Sequence, residues 1–352
     1  MKIRVGFFDK DTRYVNKLVN YLNLHYSDSI ETHMYSNIDT MLEQIRKHKL
    51  DILLIEPGCV EESFDVPDYM GMAYFSTSVD IDTIREKRTI CKYQKVDIIY
   101  KEILNLFSEL DLGISVKAWS GECSIQLFIG ASGGVGTTTV AAACAKNLAQ
   151  NGRKVLYLNL ESNGVISQIF TGELSQGLSD ALYAVKSNHS NLILKLTSMI
   201  DKDPSGVSFL NPFAVTLDEA ELTPEELEKL VDSLINTGNF ESIIVDMDPN
   251  VSAKRNLIAN RATNIFIVAS GLPISNQKLA KRLQEFYLLD ERDSTRQFSR
   301  VQIIYNAFGS KSSKARTEFG ETIFATINNY RDYAPGKMVD MIASQNLFAG
   351  LV

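Results

Sequence analysis

Residues 125–150 read IQLFIGASGGVGTTTVAAACAKNLAQ: a strand-length apolar run, a glycine-rich turn and a run of good helix formers, in that order. Gly133, Gly134 and Gly136 let successive backbone N–H groups turn inward without a Cβ clash. The helix that follows points its unpartnered N–H groups and its positive dipole end at the same place. An anion belongs there, and a phosphate above all. In a P-loop, Gly-x-x-x-x-Gly-Lys-Ser/Thr, the lysine reaches the β- and γ-phosphates and the next hydroxyl ligates Mg²⁺. Here Thr137 stands at the lysine position, Thr138 supplies the hydroxyl, and Ala131 replaces the first glycine. The phosphate-binding residues are therefore Ser132, Gly133, Gly134, Val135, Gly136, Thr137, Thr138 and Thr139, with Thr138 as a Mg²⁺ ligand.

The chain has 352 residues, enough for about two domains with their own cores. With 45% hydrophobic and 22% charged residues it has the composition of an ordinary globular protein. Its net charge of −7 gives no general attraction to a phosphate backbone, so no nucleic-acid partner is expected. No window of about eighteen apolar residues occurs, which excludes a membrane-spanning helix. The opening MKIRVGFF runs into a strand pattern with no long apolar region typical of a leader, which predicts a cytoplasmic location. Cys59, Cys91, Cys123 and Cys144, like His25, His33, His48 and His189, are scattered without metal-ligand spacing, so free buried thiols are expected and a zinc site is not.

The first third alternates apolar runs at 3–8, 32–35, 52–55, 72–75 and 89–93 with helical patterns at 14–24, 38–48 and 96–110. That rhythm predicts a parallel sheet with helices on both faces. Two glycines, two serines and Trp119 break the periodicity within 111–122. A second series of strands follows at 125–129, 154–158, 242–245, 264–268 and 301–305. The prediction is an α/β chain of two doubly wound domains, 1–112 and 124–352, joined by a linker at 113–123. Residues 218–230, DEAELTPEELEKL, read as an acidic solvated helical segment, with Thr223 as N-cap and Pro224 at the first helical position.

Residues 132–139, SGGVGTTT, resemble the deviant P-loop of the ParA/MinD superfamily, whose pattern is Lys-Gly-Gly-x-Gly-Lys-Thr-Thr. Both family lysines are absent here. The resemblance implies ATP with Mg²⁺ as ligands. The loss of two positive charges implies weak or absent hydrolysis, with affinity resting on backbone N–H groups and the metal. Asn159-Leu160-Glu161 stands where the superfamily has Asp-x-Asp; Asn159 cannot act as a carboxylate, while Glu161 keeps an acid able to polarise a water. Residues 242–249, SIIVDMDP, resemble the Walker B strand, which makes Asp246 the indirect Mg²⁺ ligand. Asn306, after the strand at 301–305, matches the residue that reads the adenine edge in MinD-like members; a loop-capping amide is the alternative.

The first domain resembles a response-regulator receiver of flavodoxin-like fold. Asp9 and Lys10 align with the acidic metal pair, with Asp11 next to them, and Glu56 with the phosphoacceptor. Ser76 or Thr77 aligns with the switch hydroxyl and Lys92 with the switch lysine. Lys10 puts a positive charge where a metal ligand should be, and Lys92 is placed to pair with Glu56. A degenerate receiver used for protein contact is expected. A degenerate receiver followed by a ParA/MinD-like P-loop domain with a lysine-poor loop and a mostly parallel sheet resembles the TadZ/CpaE family of type IVb (Tad) pilus assembly. The resemblance implies an ATP-binding homodimer at the cell pole or the inner face of the membrane, recruiting pilus assembly proteins or held by a polar landmark protein. The alternative is an active positioning ATPase that cycles on a membrane or nucleoid surface, with Glu161 placing the attacking water. Lys254 or Arg255 of a second subunit would be candidates for the missing cation. The tail 337–352 carries Lys337 as its only basic residue, which favours core packing or a dimer contact over membrane insertion; peripheral membrane association stays open.

Overall fold

In a computed structural model, which describes residues 2–47, 49–110, 122–187, 191–293, 295–309, 311–316, 322–330 and 332–351, the chain divides into two compact units. The first holds the described residues up to 110 together with 191–198, and the second holds the others. Residues 113–121 of the expected linker lie outside the described residues.

The first unit runs β1 (Ile3–Phe8), α1 (Thr12–Tyr26), β2 (Ile30–Tyr35), α2 (Ile38–Arg46), β3 (Ile52–Ile55), β4 (Gly71–Ser76), β5 (Thr83–Ile84), β6 (Lys87–Cys91) and α3 (Val96–Ser108). Its sheet has the order β2-β1-β3-β4-β6-β5, parallel except for the β5–β6 hairpin. Central strand β3 is buried at every residue, as a parallel strand covered on both faces must be. Asp11 caps α1 by accepting from the Tyr14 N–H at 3.0 Å, and Asn37 caps α2 through the Asp39 N–H at 2.7 Å. The α1 residues Val15, Leu18 and Leu22 join Ile99, Ile103 and Phe107 of α3 over Val5, Phe7 and Leu54 on one face. Met41 and Ile45 of α2 cover Leu53, Ile55, Met72 and Tyr74 on the other. The three helices stand where helical patterns were expected, and two connections between strands carry no α-helix. Residues 57–70 form a loop with one 3₁₀ turn at Pro57–Cys59, and β5 stands between β4 and β6. Apolar residues of that loop, Val60, Phe64 and Val66, cover the sheet where a helix would otherwise lie.

The second unit continues with β7 (Ser124–Gly130), α4 (Thr137–Gln150), β8 (Val155–Asn159), α5 (Leu178–Lys186), α6 (Leu192–Met199, all but its last residue counted with the first unit), β9 (Asp201–Lys202), β10 (Ser208–Phe209), α7 (Thr216–Glu221) and α8 (Pro224–Asn236). It ends with β11 (Ser242–Asp246), α9 (Ala253–Arg261), β12 (Asn264–Ala269), α10 (Pro273–Asp293), β13 (Val301–Phe308), β14 (Thr322–Asn328) and α11 (Pro335–Ala343). The sheet order is β14-β13-β12-β7-β11-β8-β10-β9, antiparallel only at β9–β10. Strand β7 lies between β11 and β12, so the chain leaves its carboxyl end at a topological switch point, where ligands bind in open α/β sheets. The acidic segment is two helices, because Thr223 and Glu226 form a capping box that starts α8 afresh at Pro224.

The tail closes the core. Val339, Ile342 and Ala343 of α11, and Phe348 beyond it, are buried beneath α4, with Phe348 6.3 Å from the Phe128 ring. The Asn147 amide donates to the Ala343 carbonyl at 2.8 Å, and Lys146 pairs with Asp340 at 2.9 Å. Core packing of the tail, as expected, is what the structure contains. No helix among the described residues is long and apolar enough to cross a membrane. All four cysteines are free, Cys91 and Cys144 buried and Cys59 and Cys123 half-buried. Phe348→Ala is expected to cost about 3–5 kcal/mol in denaturant unfolding, the loss typical of a buried aromatic; unchanged stability would place the tail outside the core.

Candidate functional site

The glycine loop is shaped by its backbone. Gly134 (φ +71°) and Gly136 (φ +87°) take left-handed conformations that other L residues rarely adopt, and Gly136 starts α4 with no side-chain cap. A Cβ on Gly133 or Gly134 would meet nothing within 4 Å, so that side of the loop is open. A Cβ on Gly136 would lie 2.4 Å from Asn306 Nδ2. Val135 anchors the loop from below: its side chain is buried in the core and its carbonyl accepts from Asn306 Nδ2 at 2.8 Å. The cavity over the loop encloses about 230 Å³ and is walled by Ser132, Gly133, Gly134, Gly136, Thr137 and Thr138, with Glu161 and residues 247–249 opposite. None of its lining side chains is basic. The first-turn N–H groups of α4 have no intrahelical partners and face this space with the dipole's positive end.

Behind Thr138 lies an acidic network. Asp246 ends β11 with no exposure, and its Oδ2 accepts from Tyr157 Oη at 2.8 Å and Asn159 Nδ2 at 3.0 Å. The Thr138 hydroxyl donates to Glu161 Oε2 at 3.0 Å, and the Glu161 N–H donates to Asn159 Oδ1 at 3.1 Å. Burial, reinforced by the Glu161 charge and opposed by the Tyr157 and Thr138 hydroxyls, pushes the Asp246 carboxyl up to about 8. Asp248 Oδ2 accepts from both the N–H and the hydroxyl of Ser162, at 2.9 and 2.7 Å, tying together the loops that follow β8 and β11.

The arrangement suits a phosphate chain with Mg²⁺. The first turn of α4 has no side-chain cap, and the buried Oδ1 of Asp246 accepts no hydrogen bond from the described residues. Among the described residues no group of three or more His, Cys, Asp or Glu is placed to hold a metal by itself. Mg²⁺ here would be held by one carboxylate, the Thr138 hydroxyl and phosphate oxygens, the usual division of its ligands.

Of the residues expected from the sequence, Ser132, Gly133, Gly134, Gly136, Thr137, Thr138 and Glu161 meet on the cavity wall, with Asp246 behind them. Val135 and Thr139 lie off the wall. Asn306 has its amide on the loop, so reading an adenine edge with that nitrogen would require releasing Val135. Lys254 and Arg255 are engaged within their own chain, which corrects their candidacy as cations for a second subunit. Lys254 Nζ donates to the Glu219 carbonyl at 2.6 Å, and fully buried Arg255 pairs with Glu285 and donates to the Pro249 carbonyl at 3.3 Å. Tyr157, Ser162 and Asp248 were not foreseen. Only the second acid of the Asp-Met-Asp sequence carried any signal for them.

In the first unit the expected Lys92–Glu56 pair is not formed. Lys92 pairs with Asp9, both nearly without exposure, while Glu56 Oε2 accepts from the Lys10 N–H at 3.1 Å. Asp9, at the end of β1, is the more deeply buried acid, and an unpaired charge there would be the costlier one. Burial pushes Glu56 up, but the Lys10 N–H, the Cys59 thiol and the charges of Lys92 and Lys10 outweigh it and hold the carboxyl below its ordinary value. Ser76 donates to the Ser78 carbonyl at 2.8 Å, and Thr77 is exposed.

Residues 1–108 match a family model described as a TadZ-like receiver domain, and residues 125–296 match one described as an AAA domain. A ParA family ATPase from Chlorobium tepidum TLS is 20% identical, with a TM-score of 0.52 over 65% of this chain and 95% of that one. A chain of the MinC:MinD cell division protein complex of Aquifex aeolicus is 17% identical (TM-score 0.44; 65% of this chain, 93% of that one). The septum site-determining protein MinD of Pyrococcus horikoshii OT3, complexed with Mg-ADP, is 16% identical (TM-score 0.48; 63% and 95%). No curated protein is significantly similar in sequence to the chain. The likeness to the ParA family ATPase is one of fold. A region matching a TadZ-like receiver domain is thus followed by a region matching an AAA domain, within a unit that shares the fold of the ParA family ATPase.

Proposed function

We propose that this chain is an ATP-binding localisation factor of type IVb (Tad) pilus assembly. In this reading the nucleotide-bound form is a homodimer at the cell pole or the inner face of the membrane, the receiver domain contacts pilus assembly proteins or a polar landmark, and hydrolysis is slow or absent. The observation that carries it is the cavity over the glycine loop, lined by Thr138 and Glu161 with buried Asp246 behind them, whose described lining has no basic side chain. Backbone N–H groups would hold the phosphates, and Thr138 and Asp246 would hold Mg²⁺. The ion would supply the positive charge that a P-loop lysine normally gives. A second reading, an active positioning ATPase, is favoured by one feature: Glu161 sits on the cavity wall, held by Thr138 and Asn159, where it can orient a water.

Isothermal titration of the full chain should give saturable ATP binding with Mg²⁺, weaker binding of GTP, and a marked loss with EDTA; absence of saturation with ATP and Mg²⁺ overturns the proposal. Phosphate release in the same samples separates the two readings, since steady turnover selects the second. Gly136→Val is expected to abolish saturable binding, because the side chain would strain a left-handed backbone and strike Asn306.

Asp246→Asn is expected to abolish the Mg²⁺ dependence while raising the unfolding temperature of the ligand-free protein. Burial lifts the folded carboxyl from an ordinary 3.8 to about 8, so across that window the folded state binds more protons than the unfolded one. Stability therefore falls as pH rises through the window, and the advantage of the non-titrating Asn grows with it. A variant that melts lower than the parent at pH 8 would contradict this. In the receiver domain, where Lys92 occupies Asp9, acetyl phosphate with Mg²⁺ should add no phosphoryl group detectable by intact-mass measurement.

A further inference from the structure

The chain that leaves β11 walls the cavity without the support of regular structure. Met247 still donates its N–H to the Phe128 carbonyl, at 3.1 Å, and Ser252 already caps α9 by accepting from the Arg255 N–H. Between them, residues 248–251 make no backbone–backbone hydrogen bond among the described residues. Yet this stretch gives Asp248 and Pro249 to the cavity lining. Two contacts hold it. Asp248 Oδ2 accepts from the N–H and the hydroxyl of Ser162, at 2.9 and 2.7 Å, and the Pro249 carbonyl accepts from Arg255 Nη1 at 3.3 Å.

Arg255 stands in the first turn of α9 with no exposure. Its Nη2 donates to Glu285 of α10 and to Asn256 Oδ1, the latter at 3.0 Å, and its guanidinium carbon lies 5.1 Å from the centre of the Phe286 ring. Glu285 takes a second cation, Arg282, on its other oxygen. Taking a guanidinium out of water costs several kcal/mol, and an apolar side chain of similar volume often serves a core as well or better. Stability alone therefore does not account for this pair. What Arg255 does that an apolar residue cannot is donate to a carbonyl in a stretch with no backbone bonds of its own. Its planar fork keeps one nitrogen on Glu285 while the other reaches Pro249, which the single ammonium of a lysine would not do.

We propose that Arg255, held by Glu285, is a positioning residue that preforms one wall of the cavity. It fixes the Pro249 carbonyl, and with it the Asp248 carboxylate that grips Ser162, the neighbour of Glu161. The ordering of both loops is then paid before a ligand arrives, which is how preorganisation raises affinity.

The effect on ligand affinity rests on the nucleotide reading of the site, whereas the effect on the loops does not, and two measurements on the full chain separate them. The first is hydrogen–deuterium exchange of the ligand-free protein, read in peptides covering residues 160–164, where the Ser162 N–H reports its bond to Asp248. The second is titration with ATP and Mg²⁺. The variant is Arg255→Met, in which Glu285 keeps Arg282 and no buried acid is orphaned. The Ser162 amide should exchange about tenfold faster while strands β7 and β11 keep the parent's protection, and ATP affinity should fall about tenfold, as for loss of one charge-assisted hydrogen bond. Arg255→Lys, which keeps the charge but not the fork, should lie between the two and serves if Arg255→Met does not fold. Folded variants whose Ser162 amide exchanges at the parent's rate overturn the inference. So does equal acceleration in the loop and the strands, the mark of a merely structural role, and so does faster loop exchange with unchanged ATP affinity. A parent that binds no ATP overturns the functional reading, and the exchange measurement still decides whether Arg255 fixes the wall.

Discussion

A carboxylate taken out of water costs several kcal/mol unless something in the protein replaces its hydration, and Asp246 has no exposure. What stands in for water is a set of neutral groups delivered by two elements. Strand β8 supplies the Tyr157 hydroxyl and the Asn159 amide, and the first turn of α4 supplies Thr138 together with the positive end of its dipole. The parallel register that sets Asn159 opposite Asp246, and β7 on the other side of β11, brings these groups together. Solvation by neutral donors is incomplete: burial, together with the Glu161 charge, still pushes the Asp246 carboxyl up.

The receiver domain meets the same electrostatic problem and solves it the other way. Asp9, also buried at the carboxyl end of a central strand, is neutralised by Lys92 from the end of the sheet's parallel series. Lys92 further sits 5.8–5.9 Å from the rings of Tyr14 and Phe75, whose faces favour a cation. An acid already paired in this way has no use for a divalent ion. Glu56, turned to the Lys10 N–H and the Cys59 thiol, is likewise satisfied within the protein. One unit thus pairs its buried acid with a lysine, while the other surrounds its own with neutral donors.

The two sheets could be read from the sequence largely because their central strands are buried on both faces. Runs such as ILLI at β3 and the IIV at the centre of β11 are apolar throughout and cannot be taken for anything that meets solvent on one side. The edges were harder. Strand β14, TIFATIN, is exposed or half-buried at all but one residue, and β9 and β10 have two residues each, so neither length nor burial leaves a signature. The stretch between β3 and β4 of the receiver offered no helical pattern, and its apolar residues indeed cover the sheet from a loop. At the site, the glycines and Thr138 were legible because their chemistry is local to the loop. The partners of Lys92, Asn306 and Tyr157 were not, since each depends on which side chain another strand presents to it, and spacing along one strand carries no record of that.

The same distinction explains how a phosphate loop survives the loss of both its lysines. A lysine in such a loop contributes charge, but the shape of this loop comes from elsewhere. Two left-handed glycines turn the backbone, Val135 roots it in the core, and Asn306 holds the Val135 carbonyl from the end of β13. None of these contacts involves a cation, so replacing lysine by Thr137 removes attraction for phosphate while leaving the cradle intact. Aligned N–H dipoles, unlike a mobile ammonium, need no reorganisation to receive an anion, but they do not cancel the charge of a triphosphate. In the proposed reading, the remaining neutralisation would fall on the metal.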